Sequence, residues 1–292
     1  MRTDTDFPDG LLVLVATPIG NLGDLSPRAV QTLSEADLVA CEDTRRTGRL
    51  LAHIGADVPL LAVHDHNESA RAQTICDRVA AGQTVALVSD AGTPGISDPG
   101  YHVVQMALDR GLAVTAVPGP SAVIHALVIS GLPTDRFAFE GFLPRKAGAR
   151  RQRLDAIAAD DRTLVFYVAP HRAADDLAAM VQAFGAERPA VLTRELTKMY
   201  EEAWRGTLGS LAEHAAVTAP RGEVTLVVGP APAVDPAVMI DDAEVARRVR
   251  SLVQGGLSRR DAVRQVVTDT NLPKRHVYNI ATNGPRQDPP MH

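Results

Sequence analysis

Five short apolar runs in the first 120 residues each end in a loop rich in glycine, proline or charged groups, and this alternation limits what the chain can fold into. Leu11 to Ala16 is a continuous apolar run, the mark of a strand buried on both faces of a parallel sheet. The loop Thr17-Pro18-Ile19-Gly20-Asn21-Leu22-Gly23 follows, and Ser26-Pro27 then opens a helix, with Ser26 as N-cap and Pro27 at the first helical position. Ala36–Cys41 is a second strand that runs into Glu42-Asp43-Thr44-Arg45, and Leu60–Val63 a third that runs into His64-Asp65-His66-Asn67-Glu68. An amphipathic helix is expected over Ser69–Ala81, then a fourth strand over Val85–Val88. That strand ends at Ser89-Asp90-Ala91-Gly92-Thr93-Pro94-Gly95-Ile96, and Asp98-Pro99-Gly100 starts the next helix. Ala113–Val117 is the fifth strand, ending at Pro118-Gly119-Pro120-Ser121-Ala122. Strands alternating with helical stretches predict a parallel sheet covered by helices, hence an α/β class.

The second half has a different grain. Phe137–Phe142, Thr163–Val168, Ala190–Thr193, Met199–Gly206 and Val224–Val228 read as strands, with helices over Gln152–Ala159 and Ala173–Phe184. Strands without regular helix alternation predict a mixed sheet, so a second α/β domain is expected to begin near Leu132-Pro133-Thr134. The Pro/Ala-rich stretch Pro230–Pro236 reads as a linker. Beyond it, Asp242–Gln254, Arg259–Thr268 and Pro273–Ala281 are expected as helices, while the first ten residues and 284–292 are expected to be loose. The expected organisation is thus an N-terminal α/β domain over 11–131, a second over 132–230, and a small helical basic domain over 241–282.

Composition narrows the chemistry. The net charge of −5 argues against a globally basic nucleic-acid binder, though it leaves room for a local basic patch. The segment 241–282 is such a patch, with eight Arg/Lys against five acids. Lysine occurs at three positions (Lys146, Lys198 and Lys274), so most cations are arginine, whose fork suits phosphate. Two scattered cysteines, Cys41 and Cys76, fit a reducing cytosol better than a disulfide scaffold. Neither a signal-like N-terminus nor a membrane-length apolar run occurs.

Every long loop of the first half follows the C-terminal end of a strand, the edge at which open α/β sheets bind ligands. Glycine and proline there let backbone N–H and C=O groups approach a ligand closely. The familiar nucleotide fingerprints fail: there is no G-x-x-x-x-G-K-[ST], and Gly20 and Gly23 lack the preceding glycine of a dinucleotide loop. No Cys/His spacing suits zinc.

Taken together and in order, these loops resemble the tetrapyrrole-methylase superfamily. More narrowly they are similar to its ribosomal branch, the small-subunit ribosomal RNA methyltransferases. Gly141-Phe142-Leu143-Pro144, Tyr167-Val168-Ala169-Pro170-His171-Arg172, Arg194-Glu195-Leu196-Thr197-Lys198 and Arg205-Gly206-Thr207 extend the resemblance over residues 11 to 282. It implies two α/β domains of tetrapyrrole-methylase type with S-adenosyl-L-methionine in the cleft between them, plus a small helical C-terminal segment. The implied reaction is 2′-O-methylation of a cytidine ribose in 16S rRNA of the small ribosomal subunit, by a cytoplasmic homodimer. By the same resemblance the cofactor contacts are Gly92, Thr93, Pro94 and Ile96, then Ser121 and Ala122, then Tyr167, Val168 and Pro170, then Glu223, Val224 and Thr225. Pro18, Ile19 and Gly20 face the methionine end. Thr93 stands where many relatives carry Asp.

The ribose hydroxyl is a poor nucleophile, so a base is sought on the same sheet edge. Glu42, Arg45, His64, Glu68, Arg194 and Glu195 are the candidate catalytic residues, with Asp43, His66, Lys198 and Glu201 nearby in sequence; none is singled out as the base. Apart from the family, Glu42–Arg45 reads as a solvated turn and His64–Glu68 as a helix cap. Two alternatives stay open: methylation of a precorrin-like tetrapyrrole, and a ribosome-binding module without catalysis. The C-terminal segment resembles a helix–turn–helix and is expected to grip rRNA backbone.

Overall fold

The computed structural model describes residues 10–64, 67–232, 242–270, 272 and 274–282. The chain forms two compact units that divide between Pro232 and Ala233. The first unit holds two five-stranded sheets. In the first sheet, β1 (Leu11–Val15), β2 (Leu38–Cys41), β3 (Leu60–Ala62), β4 (Thr84–Val88) and β5 (Val114–Val117) lie in the order β3-β2-β4-β1-β5. All four pairings are parallel, as expected from apolar runs buried on both faces.

Helices α1 (Pro27–Glu35) and α2 (Thr44–Ile54) pack Leu33 and Leu51 onto one face of this sheet. Helices α3 (Glu68–Ala80) and α4 (Tyr101–Asp109) pack Ile75, Val79 and Val103 onto the other. The neighbouring strands β1 and β4 therefore send their following helices to opposite faces. That divergence opens a crevice at their C-terminal ends, the topological switch point at which such sheets bind ligands. Ser26 caps α1 by accepting from Ala29 N–H, with Pro27 at the first helical position, as its sequence predicts. Helix α2 is an addition to the sequence reading: the expected turn at Glu42–Arg45 is its start, and Asp43 accepts from Arg45 N–H as its N-cap. Its polar run Thr44-Arg45-Arg46-Thr47-Gly48-Arg49 buries only Thr47 and, further on, Leu51, so hydrophobic periodicity gives it little signal.

Helix α5 (Ala122–Ser130) is almost uniformly apolar, including Ile124 and Val128 on its exposed side. It buries Val123, Ala126 and Leu127 with Val165 and Val227 of the second sheet. The domain boundary expected near Leu132 falls just after it, between the sheets and inside this first unit.

The second sheet comprises β6 (Phe137–Phe142), β7 (Thr163–Val168), β8 (Pro189–Arg194), β9 (Glu202–Thr207) and β10 (Val224–Val228), in the order β6-β7-β10-β8-β9. It is mixed: β6 and β7 are parallel and the other pairs antiparallel. Helices α6 (Ala147–Ile157), α7 (Ala173–Phe184) and α8 (Leu208–Val217) cover it. Helix α6 starts five residues before the expected Gln152, and α8 is a further addition. The strand expected over Met199–Gly206 begins at Glu202 instead. Positive φ at Glu195 (51°) and Thr197 (64°) turns the chain, and the Glu201 carboxylate accepts from Thr197 N–H at 2.5 Å, which holds Met199 and Tyr200 in the turn.

The second unit is a three-helix cluster, α9 (Asp242–Gln254), α10 (Arg259–Thr270) and α11 (Lys274–Thr282), closed on Val245, Val249, Val263, Val266 and Val277. Most of the expected Pro/Ala linker, the expected loose ends, Asp65 and His66 lie outside the described residues.

Candidate active site

The three Gly/Pro loops are tied to one another by hydrogen bonds as well as by an apolar cluster that joins Ile19, Ala91 and Ala122. Thr17 N–H donates to Gly92 O at 2.9 Å and Gly92 N–H returns to Thr17 O at 3.0 Å, a two-residue bridge across the β1–β4 crevice. The buried Thr17 hydroxyl donates to Ser89 O at 3.2 Å. Thr93 Oγ1 donates to Pro120 O at 3.2 Å, which joins the loop after β4 to the loop after β5. Gly92 has φ of 89°, and a Cβ there would meet Ile19 Cγ2 at 3.4 Å. Backbone freedom and clearance are both used at that position.

These loops form one wall of a cavity of about 480 Å³, a size typical of small-molecule sites. Ile19, Gly92, Thr93, Ile96, Ser121 and Ala122 line it from the first sheet, and Phe142, Tyr167, Val168, Pro170, Val224 and Thr225 from the second. The Tyr167 ring meets Phe139 edge-on at 4.9 Å and Phe142 at 5.4 Å, so its rotamer is fixed by aromatic neighbours. Burial, then the charges of Asp98 and Glu223, push the Tyr167 phenol up to about 12, so it lines the cavity as a neutral group. Among the described residues, four carboxylates, Glu42, Asp90, Asp98 and Glu223, line the cavity with Arg46 as the one arginine or lysine. Asp90 accepts from Asp43 N–H at 2.9 Å and pairs with Arg46 at 3.3 Å, which anchors the start of α2 to the loop after β4. The excess of negative charge suits a cationic ligand. The helix α5 N-terminus at Ser121–Ala122 offers backbone N–H groups to an anionic portion of the same ligand.

The model of the Tetrapyrrole (Corrin/Porphyrin) Methylases matches residues 11–212. The chain belongs to the tetrapyrrole methylase family. It is 46% identical over 273 residues to a ribosomal RNA small subunit methyltransferase I of Synechocystis, covering 93% of this chain and 97% of that one. It is 47% identical over 271 residues to the protein of the same name in Xylella fastidiosa, covering 92% and 98%. Among solved structures, a uroporphyrin-III C-methyltransferase of Thermus thermophilus, complexed with S-adenosylhomocysteine, matches with a TM-score of 0.54 at 22% identity. The match covers 75% of this chain and 97% of that one, and at this identity it speaks for the fold.

In this methylase the expected cofactor residues are drawn together from both sheets. Gly92, Thr93, Ile96, Ser121, Ala122, Tyr167, Val168, Pro170, Glu223, Val224 and Thr225 all line the cavity. Pro94 is not on its wall, and Pro18 faces a neighbouring cavity instead. Gly20 is where the Lys198 side chain crosses the first loop: a Cβ there would collide with Lys198 Cγ. Asp90, within the loop expected to build the pocket, lines the cavity, and so do Asp98, Ser97, Phe142 and His171, which were not expected to. The signal for Asp90 and Asp98 was the placing of two acids inside a glycine loop at a strand end.

The expected catalytic residues separate sharply. Glu42 lines the cavity. Arg45 is exposed and chelates Asp43, whose carboxyl it holds well below the usual range. His64 is tied to Asn67, which accepts from its backbone N–H at 2.9 Å. Glu68 is buried and accepts from Gly100 N–H at 2.9 Å and His102 N–H at 3.1 Å, so it caps α4 from a different element. Arg194 pairs with Glu202 at 2.9 Å and leans over Trp204. Glu195 accepts from Lys198 Nζ at 2.8 Å and from Glu223 N–H at 3.0 Å, and the Lys198 bond, then the Glu223 N–H, lowers its pKa. Arg45, His64, Glu68, Arg194 and Glu195 are not among the described residues that line this cavity, and each is engaged at a loop or helix end.

Proposed function

We propose that this methyltransferase uses S-adenosylmethionine to methylate ribosomal RNA of the small subunit, at the 2′-hydroxyl of a cytidine ribose. The observation that carries this reading is the cavity itself, closed by apolar side chains of two sheets and lined by four carboxylates against one arginine. S-adenosylmethionine supplies a methyl group on a cationic sulfonium, an already activated donor. The cavity's carboxylates favour that charge, and Ile19, Tyr167, Val168 and Val224 offer the apolar contact an adenine needs. The bridge between Thr17 and Gly92 keeps the loops rigid, so reacting groups are held in register. Such positioning is worth roughly 7–11 kcal/mol of barrier. The attacking hydroxyl must lose its proton as the new O–C bond forms. Of the six catalytic candidates, Glu42 lies on the cavity wall, and we assign it the role of accepting that proton. A placed base contributes ~10²–10⁴-fold.

The RNA substrate is supported by full-length likeness to relatives named for it. The second unit supports it as well, because the eight arginines and lysines among its described residues are exposed around a valine core. We assign that unit to the RNA backbone. A homodimer acting on the small subunit in the cytoplasm belongs to the same proposal. Among the described residues no helix is long and apolar enough to cross a membrane.

The test is to incubate the protein with methyl-labelled S-adenosylmethionine and small subunits, with naked 16S rRNA in parallel, and to identify the labelled nucleosides by mass spectrometry. Labelled 2′-O-methylcytidine is expected. Label in any other nucleoside, or in none, sinks the assignment. Removing residues 241–292 should lower RNA affinity and its salt dependence together.

A further inference from the structure

The cavity assigned to S-adenosylmethionine has a neighbour. A second cavity, of about 430 Å³, is lined by Pro18, Leu22, Arg46, Arg49, Leu50 and Asp90, among others. Arg46 and Asp90 belong to the walls of both cavities. Their ion pair, 3.3 Å long, is thus the threshold between the two spaces.

Charge on the second cavity is arranged differently from the first. Helix α2 carries Arg45, Arg46 and Arg49 in its first two turns. Arg46, Arg49 and Leu50 are spaced three and four apart, so they share one face of the helix. Arg45 is matched by Asp43 and Arg46 by Asp90. Arg49 donates to the Arg45 carbonyl at 3.4 Å, and among the described residues no carboxylate pairs with it. Its charge is directed at whatever enters. Leu50 on the same helix face, with Pro18 and Leu22 of the first loop, supplies the apolar part of the lining, and Leu22 is half exposed at 49%.

Chemistry at a ribose hydroxyl does not require base extrusion, but sequence-specific recognition of RNA targets unstacked, single-stranded bases that a pocket can hold. Unstacked RNA bases are held on flat side chains, guanidinium planes included. We propose that the second cavity receives the target nucleotide of single-stranded RNA, with a phosphate on Arg49 and the base against Pro18, Leu22 and Leu50. The ribose then lies at the Arg46–Asp90 threshold, facing the first cavity. The proposal rests on the methyl-transfer reading above and adds where its substrate docks.

The test compares wild type, Arg49→Ala, Arg49→Glu and, as a control of equal charge change, Arg151→Ala on the exposed face of α6. Affinity for a short cytidine-containing single-stranded RNA is measured by filter binding over a range of salt, with and without S-adenosylhomocysteine. Calorimetry reads S-adenosylhomocysteine affinity separately, and thermal melting confirms folding of these surface variants. Arg49→Ala should weaken RNA binding about tenfold and reduce the salt slope by about one contact, with Arg49→Glu weaker still. S-adenosylhomocysteine affinity should stay within twofold of wild type. The proposal is overturned if Arg49→Ala and Arg49→Glu bind RNA like wild type, if Arg151→Ala loses as much as Arg49→Ala, or if wild type binds no RNA. Failure of wild type to bind S-adenosylhomocysteine would instead remove the methyl-transfer reading, and the RNA titration would still decide the subsite.

Discussion

The loop after β4 and the loop joining β8 to β9 are both tight, polar and placed at a sheet edge, yet they end in different uses. The loop after β4 pairs its Gly92 backbone with Thr17 and donates the Thr93 hydroxyl to Pro120 O, and its acids Asp90 and Asp98 line the cavity. The loop joining β8 to β9 spends its charged groups on itself: Arg194 on Glu202, Glu195 on Lys198, and Glu201 on the Thr197 N–H. Burial works against the Lys198 ammonium, but Glu195 and Glu223 outweigh it and raise its pKa. Asp90 is bonded too, to Asp43 N–H and Arg46, so the two loops differ in whether their acids lie on the cavity wall rather than in whether those acids have partners.

That contrast can be broken in graded ways. The largest effect is expected from Gly92→Val. A β-branched residue at φ 89° costs about 1–3 kcal/mol, and its side chain would press on Ile19. Calorimetry should then detect no S-adenosylhomocysteine binding; normal binding would show that the loop is not the cofactor wall. Glu42→Gln should come next, with kcat lowered by ~10²–10³ and the melting temperature unchanged. A kcat within threefold of wild type would move the base to another cavity carboxylate.

Glu68→Ala tests the opposite role. Loss of the buried cap should cost about 1–3 kcal/mol per orphaned donor, read by chemical denaturation, while the kcat of the folded fraction stays near wild type. A selective loss of kcat would return Glu68 to the catalytic group. Tyr167→Phe is expected to act mainly at alkaline pH. The folded phenol titrates at about 12, above its unfolded value near 10. Its contribution to stability is therefore full below pH ~10 and lost as pH rises through ~12. Thermal melts of wild type should fall across that window more steeply than those of the Phe variant. The smallest effect is expected from Arg194→Ala, at most about 1 kcal/mol for a solvent-facing pair, with unchanged turnover. A large fall in kcat would mean that the loop joining β8 to β9 reaches the substrate after all.

Much of the fold was legible because burial on both faces leaves a plain mark. The runs at β1, β4, β7 and β10 needed only their apolar length. Of the helices added by the structure, α2 and α5 are ones whose pattern hydrophobic periodicity does not register. Helix α2 buries little and is held by the Asp43 cap and by Asp90. Helix α5 is apolar on its exposed side as well, at Ile124 and Val128, and so shows no amphipathic period. The site was half legible. Glycine and proline loops marked where backbone meets ligand, but acids and bases near them carry no sign of whether a partner will claim them.

The sequence by itself determined the sheet edge, the loops that crowd it and the family to which they belong, since these depend on local backbone and on burial. Tertiary structure decided which charged groups face the cavity. Glu42 and Glu68 each end a strand-and-loop segment of the same sheet, yet one lines the cavity and the other is buried under Gly100 and His102. The difference comes from donors contributed by α4, more than 30 residues away along the chain. No local pattern records a hydrogen bond that exists only once two distant elements have packed.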